Sequence, residues 1–142
     1  LYPNKDYFTT RMKSIDTSIY ERLQFQIKDN DPKYIIYSLE GINFFESMKS
    51  CKVDNKKISN DISKLFPNSK KEIIEDKHTG DPSGKSLIYE TKFSLQSGAA
   101  VLVSCYDWSN EITDKNGWLD NLKVIIDSKE FNKWLITKAF KD

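Results

Sequence analysis

The stretch Ala99 to Trp108 constrains this chain most. It alternates, yet both alternating sets are apolar: Val101, Val103 and Cys105 on one side, Leu102, Tyr106 and Trp108 on the other. A strand without a polar face belongs inside a sheet, with something covering each face. Residues 85–95 alternate differently, with Leu87, Tyr89, Phe93 and Leu95 opposed to Ser86, Glu90, Lys92 and Ser94. That pattern predicts an antiparallel strand with one solvated face. Gln96-Ser97-Gly98 is turn chemistry between the two. A loop at 109–117 leads to a strand with Trp118, Leu122, Val124 and Ile126 on one face. Ile73 and Ile74 mark another strand, ending near His78, with a turn over 79–84. The second half therefore reads as an antiparallel meander.

The first half is less regular. Leu23, Phe25 and Ile27 alternate with Arg22, Gln24 and Gln26, which predicts a strand. Lys28 to Pro32 reads as a turn and Tyr34 to Leu39 as the return strand of a hairpin. A competing reading caps a helix with Asp31 and places Ile35, Leu39 and Ile42 on its face; the hairpin is preferred. Gly41 is expected to break the strand. Asn43-Phe44-Phe45-Glu46 has the capping-box pattern, so a helix over 44–52 carrying Cys51 on its apolar stripe is expected. Lys52 to Lys57 reads as a loop. A short helix at 60–66, capped by Ser59, would bury Ile62, Leu65 and Phe66. A second capping box, Asp127 to Glu130, opens a closing helix at 128–140 that would bury Phe131, Trp134, Leu135 and Ile136. Residues 1–16 read as a possible irregular arm. The sum is one α+β domain over 1–142: an antiparallel β-sheet packed by a few helices and closed by a C-terminal helix.

Cys51 and Cys105 are too far apart for a CxxC motif or a zinc knuckle. Two readings stay open: two separate buried thiols, or one long-range disulfide in an oxidising compartment. The chain begins at Leu1 without Met, and its cysteines are even in number. Both features favour the disulfide and a periplasmic or secreted setting. Such a bond would pin the Cys51 helix to the central strand.

Net charge decides the next question. Twenty-two basic against 21 acidic residues leave +1, which excludes a strongly basic nucleic-acid binder. The longest apolar run, Ala99 to Val103, is too short to cross a bilayer. Gly80 to Ser86 looks like a phosphate loop but has three residues between its glycines and leads into a strand. His78, the one histidine, lacks spaced metal ligands, so neither metal nor cofactor is expected. A hydrolase using His78 with Glu72, Glu75 and Asp76 is an alternative without a nucleophile motif.

The charge is segregated. Residues 49–77 carry eight lysines against five acids, whereas 105–118 carry three acids against one base. The acidic segment also holds Tyr106, Trp108 and Trp118. Aromatic anchors with steering charge compose a protein-docking surface, with Asp107, Trp108, Glu111, Asp114 and Trp118 as its candidates. The bland alternative has both tryptophans capping the core and the acids solvating a hairpin.

Asp6-Tyr7-Phe8 followed by Arg11-Met12-Lys13 and Asp16 resembles, with a one-residue gap, a segment of the colicin M immunity protein. A small, two-cysteine α+β chain is similar in kind to periplasmic bacteriocin immunity proteins of the colicin M and pesticin types. That resemblance implies a periplasmic protein that binds and neutralises an imported toxin attacking the cell wall or its lipid precursor. No functional residue carries over. The expected function is an exported binding protein acting by steric occlusion. The alternatives are a small exported hydrolase or a structural subunit of a cell-envelope assembly; a long exposed edge strand or a stable homo-oligomer would favour the subunit over the other two.

Overall fold

The computed structural model describes residues 3–12 and 19–141. In chain order these form β1 (Tyr7–Arg11), β2 (Arg22–Lys28), β3 (Ile36–Phe44), α1 (Met48–Leu65), β4 (Lys70–Lys77), β5 (Leu87–Ser94), β6 (Ala100–Asp107), α2 (Asn110–Asn116), β7 (Asn121–Asp127) and α3 (Lys129–Thr137). The strands make one antiparallel sheet in the order β1-β2-β3-β7-β6-β5-β4. Two meanders, β1–β3 and β4–β7, meet where β7 pairs with β3. β6 is interior, as its two-sided apolarity requires. The fold is α+β, with its last helix at the C-terminal end.

Register assigns the faces. Val101, Val103 and Cys105 of β6 cluster with Phe93, Leu122 and the α1 residues Cys51 and Ile62. Phe93 and Val103 are fully buried, and each such side chain contributes roughly 2 kcal/mol. Cys51 and Cys105 form a disulfide with Cα atoms 6.0 Å apart. It fastens α1 to β6, so the free-thiol reading falls. The other face holds a smaller core, in which Phe131 and Trp134 of α3 pack edge-on and tilted around Tyr7, beside Tyr37.

Several sequence expectations need correction. Residues 44–66 hold one long helix, not a helix, a loop and a second helix. Ser47 is its N-cap, its side chain accepting from Ser50 N, and Asn43 and Phe44 are still strand. The helix was obscured because two of its inward residues are polar. Asn55 is fully buried, donates to Val103 O at 2.6 Å and accepts from Thr91 Oγ1 and Ser59 Oγ. Ser59 is therefore a buried mid-helix residue and not a cap. Leu65 and Phe66, expected inside, are exposed, and so is Ile136 of α3.

Gly41 does not break its strand. β3 runs through it, and a Cβ there would lie 2.8 Å from the Tyr20 ring. The glycine serves close approach of a ring to a strand. The return strand starts at Ile36 because Asp31 caps the turn through Lys33 N and Ile35 N. The 109–117 loop contains α2, and β7 begins at Asn121, leaving Trp118 outside it. The expected arm contains β1, hydrogen-bonded along β2. Of the segment that carries the immunity-protein resemblance, Lys13 and Asp16 lie outside the described residues.

Candidate functional site

The acidic, tryptophan-bearing segment leaves the sheet at the C-terminal end of β6. Alternation puts Tyr106 and Trp108 on the face opposite α1. Their rings stack at 5.7 Å with an interplanar angle of 8°. His78, just past β4, meets Trp108 edge-on at 4.5 Å, and Trp118 leans on Trp108 at 4.7 Å. Four rings thus form one cluster at a sheet end. Trp118 keeps 42% of its surface exposed; the other three are half-buried.

Local chemistry holds this end in place. Ser109 caps α2 through Ile112 N, and Gly117 closes it at φ 68°, where a side chain would be strained. Asp120 accepts the Trp108 N–H at 2.7 Å. Asp81 ties in the neighbouring turn: it accepts from Ser83 N, Ser86 N, Ser86 Oγ and Ser109 Oγ. The hydrogen bonds from Ser86, then Ser83, hold its carboxyl well below the usual range. The turn that looked like a phosphate loop therefore binds its own carboxylate.

The five candidate docking residues do not behave alike. Trp108 and Trp118 are brought together. Asp107 is half-buried, and burial followed by the charge of Asp120 raises its pKa. Glu111 is exposed and ion-pairs with Lys85. Asp114 is exposed on α2. His78 is not a free base. Its Nδ1 accepts Gly80 N–H at 3.0 Å, and burial, then Lys123, lowers its pKa. Among the described residues no group of three or more His, Cys, Asp or Glu is placed to hold a metal ion.

Sequence reasoning missed a polar belt on the same face as the rings. Glu40 accepts from Gln24 Nε2, Gln26 Nε2 and Lys123 Nζ. Thr9 Oγ1 donates to Gln26, and Ser104 Oγ donates to Glu90. Gln24, Gln26, Glu40 and Ser104 are all buried. Lys123 joins belt to rings, its Nζ lying 5.4 Å from the Tyr106 centroid. Further along the face Asp127 is buried, with Oδ1 lacking a hydrogen-bond partner among the described residues. Burial pushes its carboxyl up to about 6. Alternation at Gln24 and Gln26 was visible in the sequence; that these polar residues turn inward, toward Glu40, was not.

Comparison with known proteins found no matching family, no matching curated protein and no matching solved structure.

Proposed function

We propose that this chain is an exported binding protein that neutralises a secreted toxin or enzyme by steric occlusion, in the manner of bacteriocin immunity proteins. The observation that carries this reading is the half-open ring cluster of His78, Tyr106, Trp108 and Trp118 beside acidic residues. Trp118 is the anchor, with exposed apolar area to bury, and Trp108 and Tyr106 stiffen it from behind. Rigid aromatic anchors of this kind dominate the energetics of protein interfaces. Asp107 and Asp114 supply charge that speeds encounter with a basic cleft. Export is supported by the disulfide, because such bonds persist in oxidising compartments. No helix among the described residues is long and apolar enough to cross a membrane.

The test is protection. The chain, directed to the periplasm of a sensitive strain, is challenged with a panel of cell-wall-attacking bacteriocins, including colicin M and pesticin. Protection by the native chain, weakened by roughly 30-fold or more in Trp118→Ala, supports the reading. Protection unchanged by Trp118→Ala would move the site elsewhere. No protection against any toxin of the panel would overturn the toxin-neutralising reading.

One observation favours the structural-subunit alternative. β4 is an edge strand of eight residues, all exposed.

A further inference from the structure

Exposed edges of this length are hazards, because their unpaired N–H and C=O groups invite another strand. α1 rides over β5, β6 and β7 and reaches β4 through the exposed Lys52–Glu75 ion pair. Ile73 is 61% exposed and Ile74 40%. His78 N donates to Ser86 O, and the β4–β5 register runs unbroken up to that pair. Even-numbered β4 residues therefore turn their backbone groups to β5. Lys71, Ile73, Glu75 and Lys77 turn theirs outward, as alternation in an antiparallel ladder demands.

We infer that β4 is a self-pairing edge, joining two copies of this chain antiparallel through a two-fold axis at Ile73 into one continuous sheet. The charge order of Lys70-Lys71-Glu72-Ile73-Ile74-Glu75-Asp76-Lys77 selects this partner and this register. A two-fold axis perpendicular to a sheet preserves faces, so each residue must meet one of its own parity. Centred on Ile73, Lys70 meets Asp76 and Lys71 meets Glu75, each twice by symmetry, with Ile73 opposite Ile73. Shifting the centre to Ile74 sets Lys71 against Lys77 and Glu72 against Asp76. Centring on Glu72 or Glu75 sets two glutamates face to face. Like charges directly opposed are destabilising and opposite charges stabilising.

The outward backbone groups agree with this arrangement. Ile73 exchanges both hydrogen bonds with its symmetry mate, and Lys71 with Glu75 of the other copy. The existing ion pairs Lys70–Glu72 and Lys52–Glu75 are exposed, so exchanging their partners costs little. Lysines on an edge repel most foreign strands; here the same lysines fit a second copy. A single strand pair buries modest area, so the dimer is a weak, concentration-dependent one. Both ring clusters then lie on the same face of the joined sheet. The inference stands independently of what that cluster binds.

The mass of the purified, disulfide-intact chain is measured by light scattering over a concentration series. A dimer that grows with concentration is expected; a monomer throughout would overturn the inference. Lys71→Glu should weaken dimerisation roughly tenfold, because it sets an acidic side chain opposite Glu75 of the other copy. The double variant Lys71→Glu/Glu75→Lys restores opposite charges and should restore the dimer. A dimer indifferent to Lys71→Glu would place the contact elsewhere. Register is read by cross-linking: cysteine at position 73 meets its mate at a Cα distance of about 5.5 Å, within disulfide reach. Ile73→Cys should therefore give a covalent dimer under oxidation and Ile74→Cys should not; the reverse result would overturn the register.

Discussion

The two faces of the sheet are held by different physics. Under α1 the contacts are mostly apolar and cross-linked: Phe93, Val101, Val103 and Leu122 surround Cys51–Cys105, with the buried Asn55 hydrogen-bonded among them. On the opposite face the centre is polar, with Glu40 satisfied by two glutamines and Lys123. The apolar core is non-directional and tolerates repacking. A polar network is stable only when each member has its partner. The comparison teaches that the α1 face is stabilised mainly by apolar contacts, whereas the polar centre of the other face fixes register, because a one-residue slip would strand Glu40 among apolar neighbours.

The largest expected effect lies on the α1 face. Replacing Cys51 and Cys105 by Ala should cost about 4 kcal/mol in chemical denaturation, from the entropy regained by the unlinked chain. A loss below about 1 kcal/mol would mean that the apolar contacts alone secure α1. Next comes Glu40→Ala, which leaves the mostly buried Lys123 and two glutamine amides without their acceptor. Roughly 3 kcal/mol should be lost. If Glu40→Leu recovers most of that loss, the belt matters for specificity and not for stability.

Asp127 gives a smaller effect of opposite sign. Its folded pKa of about 6 lies above the ordinary 3.8, so the native state binds the proton more tightly. That contribution is complete below pH 3.8 and is lost as pH rises through about 6. Asp127→Asn should raise stability at pH 7.5 by roughly 2 kcal/mol and flatten the melting profile between about pH 4 and 6. An unchanged profile would show that the group titrates normally. The smallest effect separates the two sides of α3. Ile136→Ser, at a site 68% exposed, should shift stability by less than about 0.5 kcal/mol. Phe131→Ala, fully within the α3 core, should cost about 3 kcal/mol.

Much of the architecture followed from pattern. Two-sided apolarity placed β6 in the interior and one-sided alternation placed β5 beside it; the expected box from Asp127 to Glu130 was one residue off, because Ser128 caps α3 through Phe131 N. Failures had a common cause. α1 was read as two pieces because Asn55 and Ser59 are polar in sequence but hydrogen-bonded inside. Gly41 reads as a breaker until the Tyr20 ring is seen above it. Tyr106, Trp108 and Trp118 were picked out together by composition, but His78 joined them only through the sheet.

By itself the sequence determined the local periodicities, the start of α3 to within one residue and the candidate cysteine pair. The first two depend on neighbours within a few positions, where propensity and alternation act. The tertiary structure decided which polar residues turn inward, which strand is left bare at the edge and which rings meet. Those outcomes depend on partners tens of residues away, such as Glu40 with Lys123 or Cys51 with Cys105. A side chain's type states what it can bond to; only the fold states what lies within reach.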